Sequence, residues 1–221
     1  MGTHNLSRPL RSDMVVYPGT PPVSIEPAAT VTEDGFRTTA IKLDSHTGTH
    51  MDAPAHMVDN GRTLDTYPPE TFRFEAAIVD CRPLDDREPI ARSMLADRAA
   101  ADNRSNLDMV ILRTGWEAYW GDDRYFDHPY LTGDAAAWLA ERELHLGVDM
   151  LNVDPTPTAN AASGEPSKYP AHHGLFAADR LIVENLCGLA GVGDRIDLHA
   201  YPLAIEAADG SPVRAVAIDQ Q

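Results

Sequence analysis

The chain has little cysteine, little positive charge and no long apolar run. Its 221 residues include two cysteines, Cys81 and Cys187, which lie far apart and belong to no Cys-x-x-Cys pair. We interpret them as two reduced thiols of a cytosolic protein, with a disulfide as the alternative. No apolar segment approaches the roughly 20 residues that a membrane-spanning helix needs, and the first residues lack the pattern of a secretory signal. We therefore expect a cytoplasmic protein without a membrane partner.

Positive charge is scarce: 18 lysines and arginines stand against 34 aspartates and glutamates, for a formal net charge of −16. Such a surface repels the phosphates of nucleic acids and of anionic membranes, so nucleic acid is not an expected partner. The hydrophobic share of 43% and the charged share of 24% are ordinary for a globular protein. Without repeats, low-complexity segments or a linker, residues 1–221 are expected to form a single domain.

Short β-prone segments recur along the chain. They are rich in threonine and aliphatic residues, or form brief apolar runs of the length that buried strands have. Asp209-Gly210 is a turn signal that suggests a hairpin between the last two segments, although the connection is longer than two residues. We predict strands over residues 36–43, 75–80, 108–113, 181–184, 201–206 and 213–218.

Helical signals lie between the strands. Ser93 is a candidate N-cap for a helix over roughly 94–102, because a serine oxygen can accept a first-turn N–H. Thr132 is a candidate N-cap for a helix that continues through 135–142, with Gly147 beyond its end. Strands outnumber helices and alternate with them only in part. The pattern predicts a mixed α/β fold with a β-rich centre, not a regular parallel doubly wound sheet.

The longest irregular stretch covers residues 154–170 and lies directly before His172. A loop of this length inside a compact protein is usually functional or mobile. We favour a flap near the functional site; a solvated excursion without a role is the alternative.

Several metal-ligand types lie together in the run His46-Thr-Gly-Thr-His50-Met-Asp52-Ala-Pro-Ala-His56. Its glycine, proline and β-branched threonines disfavour a helix. In extended backbone alternate side chains share a face, so the even-numbered donors are expected to point the same way. Gly48 would then leave room between the two imidazoles of His46 and His50.

The donors in this run are imidazoles and a carboxylate, which suit zinc and also manganese or iron. Asp52 has two oxygens and could bridge a pair of metals. Two histidines and one aspartate leave open coordination positions, where a divalent metal can lower the pKa of water to about 7. His56 would remain free to move protons. The alternative is a set of surface pairs or satisfied core groups.

A second donor group follows later in the chain. His172 and His173 begin an apolar stretch, and Glu184 comes directly after three aliphatic strand residues. A buried carboxylate needs a cation or hydrogen-bond donors, and a metal would serve. If Glu184 instead ends the strand in solvent, it needs no such partner.

The histidine-rich run 46–56 resembles the signature of the cyclase-type metal-dependent hydrolases, a family that includes bacterial kynurenine formamidases and isatin hydrolases. The resemblance extends over nearly the whole chain. It departs from many formamidases at Met150-Leu151-Asn152, where they carry a Thr-Pro-Ser run, and in the longer stretch after Asp154. The further matching segments are Tyr17-Pro-Gly-Thr-Pro21, Leu112–Trp116, Gly147–Asp149, Val153–Pro155, Glu184–Leu186 and Asp209–Val216.

The resemblance implies a swivelling β/β/α fold in a homodimer or larger assembly. It also implies roles for six residues, with one or two divalent metals as the cofactor, most simply Zn²⁺ and otherwise Mn²⁺. His56 is implied as the catalytic acid/base. The spacing of twelve residues before Glu184 favours His172 over His173 as a ligand. The implied metal ligands are His46, His50, Asp52, His172 and Glu184.

The expected function is hydrolysis of an amide-type bond in a small, aromatic substrate, such as an N-formyl arylamine or a lactam, by a metal-activated water. Trp116, Tyr119 and Trp120 could wall an aromatic pocket, with core packing as the alternative for each. Two rival functions remain: a ring-closing reaction at the same site, and metal binding without catalysis.

Overall fold

The computed structural model describes residues 2–99 and 107–220. Strand and helix labels below follow chain order. The strands are β1 (Thr3–Asn5), β2 (Ser24–Ala29), β3 (Thr38–Lys42), β4 (His50–Asp52), β5 (Arg73–Asp80), β6 (Pro89–Ile90), β7 (Met109–Arg113), β8 (Tyr130–Leu131), β9 (His145–Val148), β10 (Ile182–Glu184), β11 (Arg195–Pro202) and β12 (Gly210–Asp219). The helices are α1 (Val31–Asp34), α2 (Arg92–Ala99), α3 (Gly133–Ala140) and α4 (Pro170–Phe176), joined by short 3₁₀ turns.

One mixed sheet contains eight of the strands, in the order β1-β12-β11-β5-β7-β9-β10-β4. Its centre, from β5 through β7 and β9 to β10, is parallel, and the flanking pairs are antiparallel. The sheet closes on itself because β4 pairs with β12 as well as with β10. The predicted mixed α/β fold is therefore confirmed.

Apolar side chains fill both faces of this sheet. In β7, Met109 and Ile111 belong to one buried cluster, and Val110 and Leu112 to another, as strand alternation requires. The second cluster also contains residues of α3 and α4, so these two helices cover one face. Gly147 in β9 is part of this packing, because a Cβ there would lie 2.9 Å from Ile111 and 3.0 Å from Leu186.

Strand β4 places two candidate ligands at the closure of the sheet. In the antiparallel pairing with β10, His50 lies opposite Glu184, so their side chains share a face. Met51 faces the other way and is fully buried in the apolar cluster. The packing of Met51 thus orients His50 and Asp52 away from that cluster, on the same face as Glu184.

The hairpin formed by β2 and β3 is a separate two-stranded sheet. Its second strand is exposed along its whole length. Apolar side chains on this arm also face solvent, with exposed fractions of 66% for Val31, 58% for Phe36 and 58% for Ile41. The hairpin and its connection therefore leave three large apolar side chains in solvent.

Most strand predictions agree with the structure, and the helix-end predictions need correction. Helix α2 begins at Arg92, so Ser93 lies inside its first turn; residues 100–102 of the predicted helix lie outside the described part of the chain. Thr132 does precede α3, but its hydroxyl donates to Ile90 O and Asp134 instead of capping the first turn. Gly147 lies within β9, and the last predicted hairpin has its first strand at 195–202, not 201–206.

Among the described residues, no helix combines the length and the apolar character that crossing a lipid bilayer requires. Cys81 and Cys187 are not joined to each other in a disulfide.

Candidate metal centre

Two groups of potential ligands share one carboxylate. His46, His50 and Asp52 form the first group, and Asp52, His172 and Glu184 form the second. Within each group the ligand atoms lie within 4.8 Å of one another. The structure therefore brings together all five residues that the sequence suggested as ligands. The central position of Asp52 places one of its oxygens toward each group.

The distances around Asp52 describe this sharing. Its Oδ1 lies 2.7 Å from His46 Nδ1 and 3.1 Å from His50 Nε2. Its Oδ2 lies 3.7 Å from His172 Nε2. Glu184 closes the arrangement, with Oε2 at 3.5 Å from His50 Nε2 and Oε1 at 3.6 Å from His172 Nε2.

Each of the three ligand histidines has its other ring nitrogen held in place. His50 Nδ1 donates a hydrogen bond to the carbonyl of Gly48 at 2.8 Å. His172 Nδ1 lies 2.8 Å from Asp154, and His46 Nε2 lies 3.0 Å from Asp209. Partners of this kind fix the tautomer of a metal-binding imidazole and direct its remaining nitrogen to the metal. In each of the three histidines, the second ring nitrogen faces Asp52.

His172 and His173 have different surroundings. His172 is 1% exposed and faces Asp52 and Glu184, whereas His173 is exposed to solvent. Asp154 holds His172 twice, since its Oδ2 also accepts the backbone N–H of His172 at 3.0 Å. Of the two histidines, His172 is the one that lies beside Asp52 and Glu184.

Glu184 is buried, with 3% exposure, so it does not end its strand in solvent. Val153 N–H donates to its Oε1 at 3.0 Å. Burial, together with the nearby charge of Asp52, raises the pKa of Glu184 to about 7, against the opposing effect of His172. Two buried carboxylates so close together destabilise each other unless a cation lies between them.

The carboxylates of the site also create a negative electrostatic potential at the imidazoles. Burial lowers the pKa of His46, but Asp52 and Asp209 outweigh it and raise that pKa to about 11. Burial also opposes the charge of His172, yet Asp154 and Asp52 raise its pKa to about 10. A potential that favours protons this strongly also favours a divalent cation. The donor types, their spacing and their charge therefore fit a divalent metal.

The expected extended conformation of residues 46–56 holds only for His50–Asp52. A turn precedes this strand, and a 3₁₀ turn over Pro54–His56 follows it. Gly48 has a φ of +64°, and a Cβ there would lie 2.9 Å from Met14, so glycine serves the left-handed turn. The prediction that Gly48 leaves room between the imidazoles is wrong.

His56 lies beside the ligand groups. Its ring is 3.9 Å from the ring of His46 and 6.0 Å from that of His172, centroid to centroid. Its Nδ1 is 3.4 Å from Asp209 Oδ2. Burial lowers its pKa. His56 therefore lies next to the candidate ligands, on the side where Asp209 also contacts His46.

A cavity of about 370 Å³ opens over these residues, a volume suited to a small aromatic molecule. Its wall includes Tyr17, Met57, Leu151, Asn152 and Tyr169. Leu151 and Asn152 belong to the segment that departs from the formamidase pattern, so this departure lies at the pocket. Burial and the neighbouring Tyr169 raise the pKa of Tyr17, which keeps its hydroxyl protonated.

Core packing, the alternative given for Trp116, Tyr119 and Trp120, is what the structure shows, because none of the three lines this cavity. Trp116 is 2% exposed and belongs to the apolar core. Tyr119 and Trp120 pack against the same core, and Arg8 lies over the ring of Trp120. The tyrosines at the pocket are Tyr17, in a segment that matches the family, and Tyr169, in the irregular stretch that was expected near the functional site.

Sequence reasoning also missed the two aspartates that orient the histidines. Asp154 was the first residue of the irregular stretch, and Asp209 was read as part of a turn. Each is far along the chain from at least one residue it contacts: Asp209 lies 163 positions from His46. Their presence in segments that matched the family was the available signal.

Comparison with known proteins gives a consistent result. Residues 4–155 match the family described as "Putative cyclase". A kynurenine formamidase of Bacillus mycoides (strain KBAB4) is 32% identical over 215 residues, which cover 96% of this chain and 95% of that protein. Isatin hydrolase A of Ralstonia solanacearum superposes with a TM-score of 0.86 at 26% identity, covering 99% of this chain and 92% of the other. A structure described as a potential metal-dependent hydrolase with cyclase activity gives a TM-score of 0.77 at 27% identity, covering 100% and 98% of the two chains.

Proposed function

Because the chain belongs to the cyclase family, we propose that the five clustered ligands and His56 form the catalytic centre of its hydrolase activity. The chain is a metal-dependent hydrolase of amide-type bonds, like the kynurenine formamidase and isatin hydrolase to which it is similar. The observation that carries the residue assignment is the carboxylate of Asp52, which two ligand groups share.

His46, His50 and Asp52 would hold one divalent metal, and Asp52, His172 and Glu184 a second. A divalent metal, when bound, polarises a substrate carbonyl and lowers the pKa of water. The chain itself supplies the orientation, since Gly48 O, Asp154 and Asp209 fix the imidazoles. Imidazole and carboxylate donors suit Zn²⁺ first and Mn²⁺ second.

His56 would act as the general acid/base. It lies against the ligand groups, and Asp209 contacts its Nδ1, so its Nε2 is available to a substrate. In hydrolysis it accepts a proton from the attacking water and donates one to the leaving nitrogen. As the C–N bond breaks, the electron pair stays on nitrogen, and that proton converts the leaving nitrogen into a neutral amine.

The aromatic and apolar lining of the pocket is suited to a substrate whose amide nitrogen carries an aryl group. Tyr17 and Tyr169 supply flat surfaces, and Met57 and Leu151 supply apolar ones. The substrates named for the relatives, formylated kynurenine and isatin, are both amides of an aromatic amine. We therefore propose an N-formyl arylamine or an aromatic lactam as the substrate class.

The direct test combines metal analysis with an assay. The purified protein should contain a divalent metal, and N-formylkynurenine or isatin should be hydrolysed, with product analysis to separate hydrolysis from ring closure. Chelation should remove the activity and lower the melting temperature, because a ligand that binds only the folded state stabilises it. A metal-free protein of full stability that hydrolyses no amide or lactam would refute the proposal.

Three further properties belong to the same proposal. The exposed apolar arm of Val31, Phe36 and Ile41 supports a homodimer or larger assembly. The two cysteines, which do not bond to each other, support a cytoplasmic location. We take residues 1–221 as one domain, since the closed sheet joins β1 to β12.

A further inference from the structure

The long irregular loop before α4 is anchored at two places. The buried Arg87 contacts Glu165, Asp127 and Thr158, with Nε 2.6 Å from Glu165 Oε1 and Nη1 3.2 Å from both Asp127 Oδ1 and Thr158 Oγ1. At the other end, the N–H of Ala171 donates to Asp154 at 2.9 Å. The loop as a whole is therefore not a free flap. Only the four residues 166–169 lie between Glu165 and the first residue of α4, Pro170.

This short segment ends in a costly backbone conformation. Lys168 has a φ of +66°, and Tyr169 has a φ of +53° with a ψ of +56°. Two successive non-glycine residues in the left-handed region are unusual, and such conformations persist only where the surroundings enforce them. They occur preferentially at ligand-binding sites.

The strained conformation directs Tyr169 into the cavity. Its ring lies 6.3 Å from the ring of His172 and nearly perpendicular to it, at 87°. It also lines the pocket next to Tyr17. Tyr169 is thus a wall residue of the cavity next to a candidate metal ligand, and it is positioned by the short segment between Glu165 and α4.

We propose that Tyr169 is a specificity-determining residue: its ring forms the pocket wall that limits the size of the aryl group on the substrate nitrogen. This inference rests on the hydrolysis proposed above. It adds that the pocket selects substrates by the aryl group on the nitrogen. The edge of an aryl substrate would pack on the face of Tyr169, a geometry that aromatic pairs favour. A bulky substituent on the substrate ring, opposite the nitrogen, would collide with Tyr169.

The test uses formanilide and 4-tert-butylformanilide. In the wild type, kcat/KM should favour formanilide. Tyr169→Ala should reduce that preference about 10-fold, the effect typical of relieving a steric limit in an apolar pocket. Tyr169→Phe keeps the ring and should leave the preference unchanged. Tyr201→Ala removes an exposed tyrosine and is the matched control.

Binding separates this inference from the proposed reaction. Saturation-transfer NMR with the same two compounds should show that the wild type binds formanilide and excludes the tert-butyl compound, and that Tyr169→Ala binds both. This result supports the pocket wall even if neither compound is cleaved. An unchanged preference and unchanged binding in Tyr169→Ala, or a wild type that binds neither compound, overturns it.

Lys168→Gly tests the backbone conformation, and Tyr169→Asn provides a second small side chain in case Tyr169→Ala does not fold. Lys168→Gly should raise the melting temperature, because glycine adopts a positive φ without strain; Lys42→Gly in β3 should lower it. Tyr169→Asn is a second small variant, since asparagine tolerates the left-handed conformation. It should relax the preference as Tyr169→Ala does. A lowered melting temperature for Lys168→Gly would contradict the strain at this segment.

Discussion

The carboxylate of Asp154 holds His172 by both its backbone and its ring, at 3.0 Å from the N–H and 2.8 Å from Nδ1. A third hydrogen bond, from Ala171 N–H at 2.9 Å, ties the same carboxylate to the first turn of α4. The ring of His172 is therefore fixed before any metal binds, with Nε2 toward Asp52 and Glu184. Asp154 therefore sets the orientation of the candidate ligand His172, which the side-chain torsions of the histidine would otherwise leave free.

Replacement of Asp154 by alanine should weaken metal binding by about 10- to 100-fold, the usual effect of removing the partner of a metal-binding histidine. Asp154→Asn should lie between alanine and the wild type, because its amide oxygen can still accept from Nδ1. Competition with a chromophoric chelator measures the affinity. Asp123→Asn, at an exposed 3₁₀ turn, is the control. Equal affinities in all four proteins would contradict the orienting role.

His56→Ala should retain its metal and lose about 10²- to 10⁴-fold in kcat, the range expected when a general acid/base is removed. Metal content is measured by plasma emission spectroscopy and kcat with N-formylkynurenine or isatin. His173→Ala, next to a proposed ligand but exposed, should behave as the wild type. Full activity of His56→Ala would remove the proposed acid/base.

Stability should fall in mild acid because two histidines are kept neutral. Burial lowers the pKa of His128 to about 4 and that of His145 to about 4. His145 Nδ1 accepts the N–H of Leu181 at 2.8 Å, and His128 Nδ1 donates to Pro129 O, so Nε2 of His128 accepts from Thr156. Protonation would break both acceptor contacts.

The sign of this effect follows from the unfolded chain, where histidine has a pKa of about 6.5 and binds more protons than the folded protein below that value. The contribution of these two histidines to the free energy of unfolding should be complete above pH 6.5 and fall between about pH 6.5 and pH 4, by up to roughly 3 kcal/mol for His128. Urea unfolding at several pH values measures it. His128→Gln should flatten the acid slope, whereas the exposed variant His173→Gln should not.

Arg87→Ala should destabilise the protein by about 3–5 kcal/mol, since it leaves Asp127 and Glu165 without their cation in a nearly buried position. The Arg87 side chain is 7% exposed and the two carboxylates are 10% exposed. Limited proteolysis should then cut within residues 156–165, where the wild type resists. Arg92→Ala, at an exposed helix start, serves as the control. Equal stability and equal resistance in Arg87→Ala would show that the ion pairs do not anchor the loop.

The sequence was sufficient to predict the mixed α/β fold, because local patterns report on strands and helices. The grouping of the ligands from the two distant segments was implied by the family resemblance. The alternation of His50 and Asp52 around an apolar Met51 is a strand signal, and Glu184 after three aliphatic residues indicated burial. Both features depend on near neighbours. The twelve-residue spacing between His172 and Glu184 came from the family resemblance.

The rest required the tertiary structure. The role of Gly48 depends on Leu10 and Met14, which pack against its turn. For Trp116 the sequence left pocket wall and core packing open, because aromatic type alone does not say which side of a sheet a ring will cover. The contacts of Arg87 with Asp127 and Glu165 join segments up to 78 residues apart, a distance over which no sequence pattern is informative.

The double pairing of β4 has a consequence for how the enzyme is made. On the ribosome, residues 46–52 emerge long before residues 182–184 and 210–212, the two strand segments that flank them in the finished sheet. Until both neighbours have been synthesised and docked, the nascent polypeptide has no arranged chelating groups. We therefore expect the metal to bind last, after the sheet has been assembled around β4.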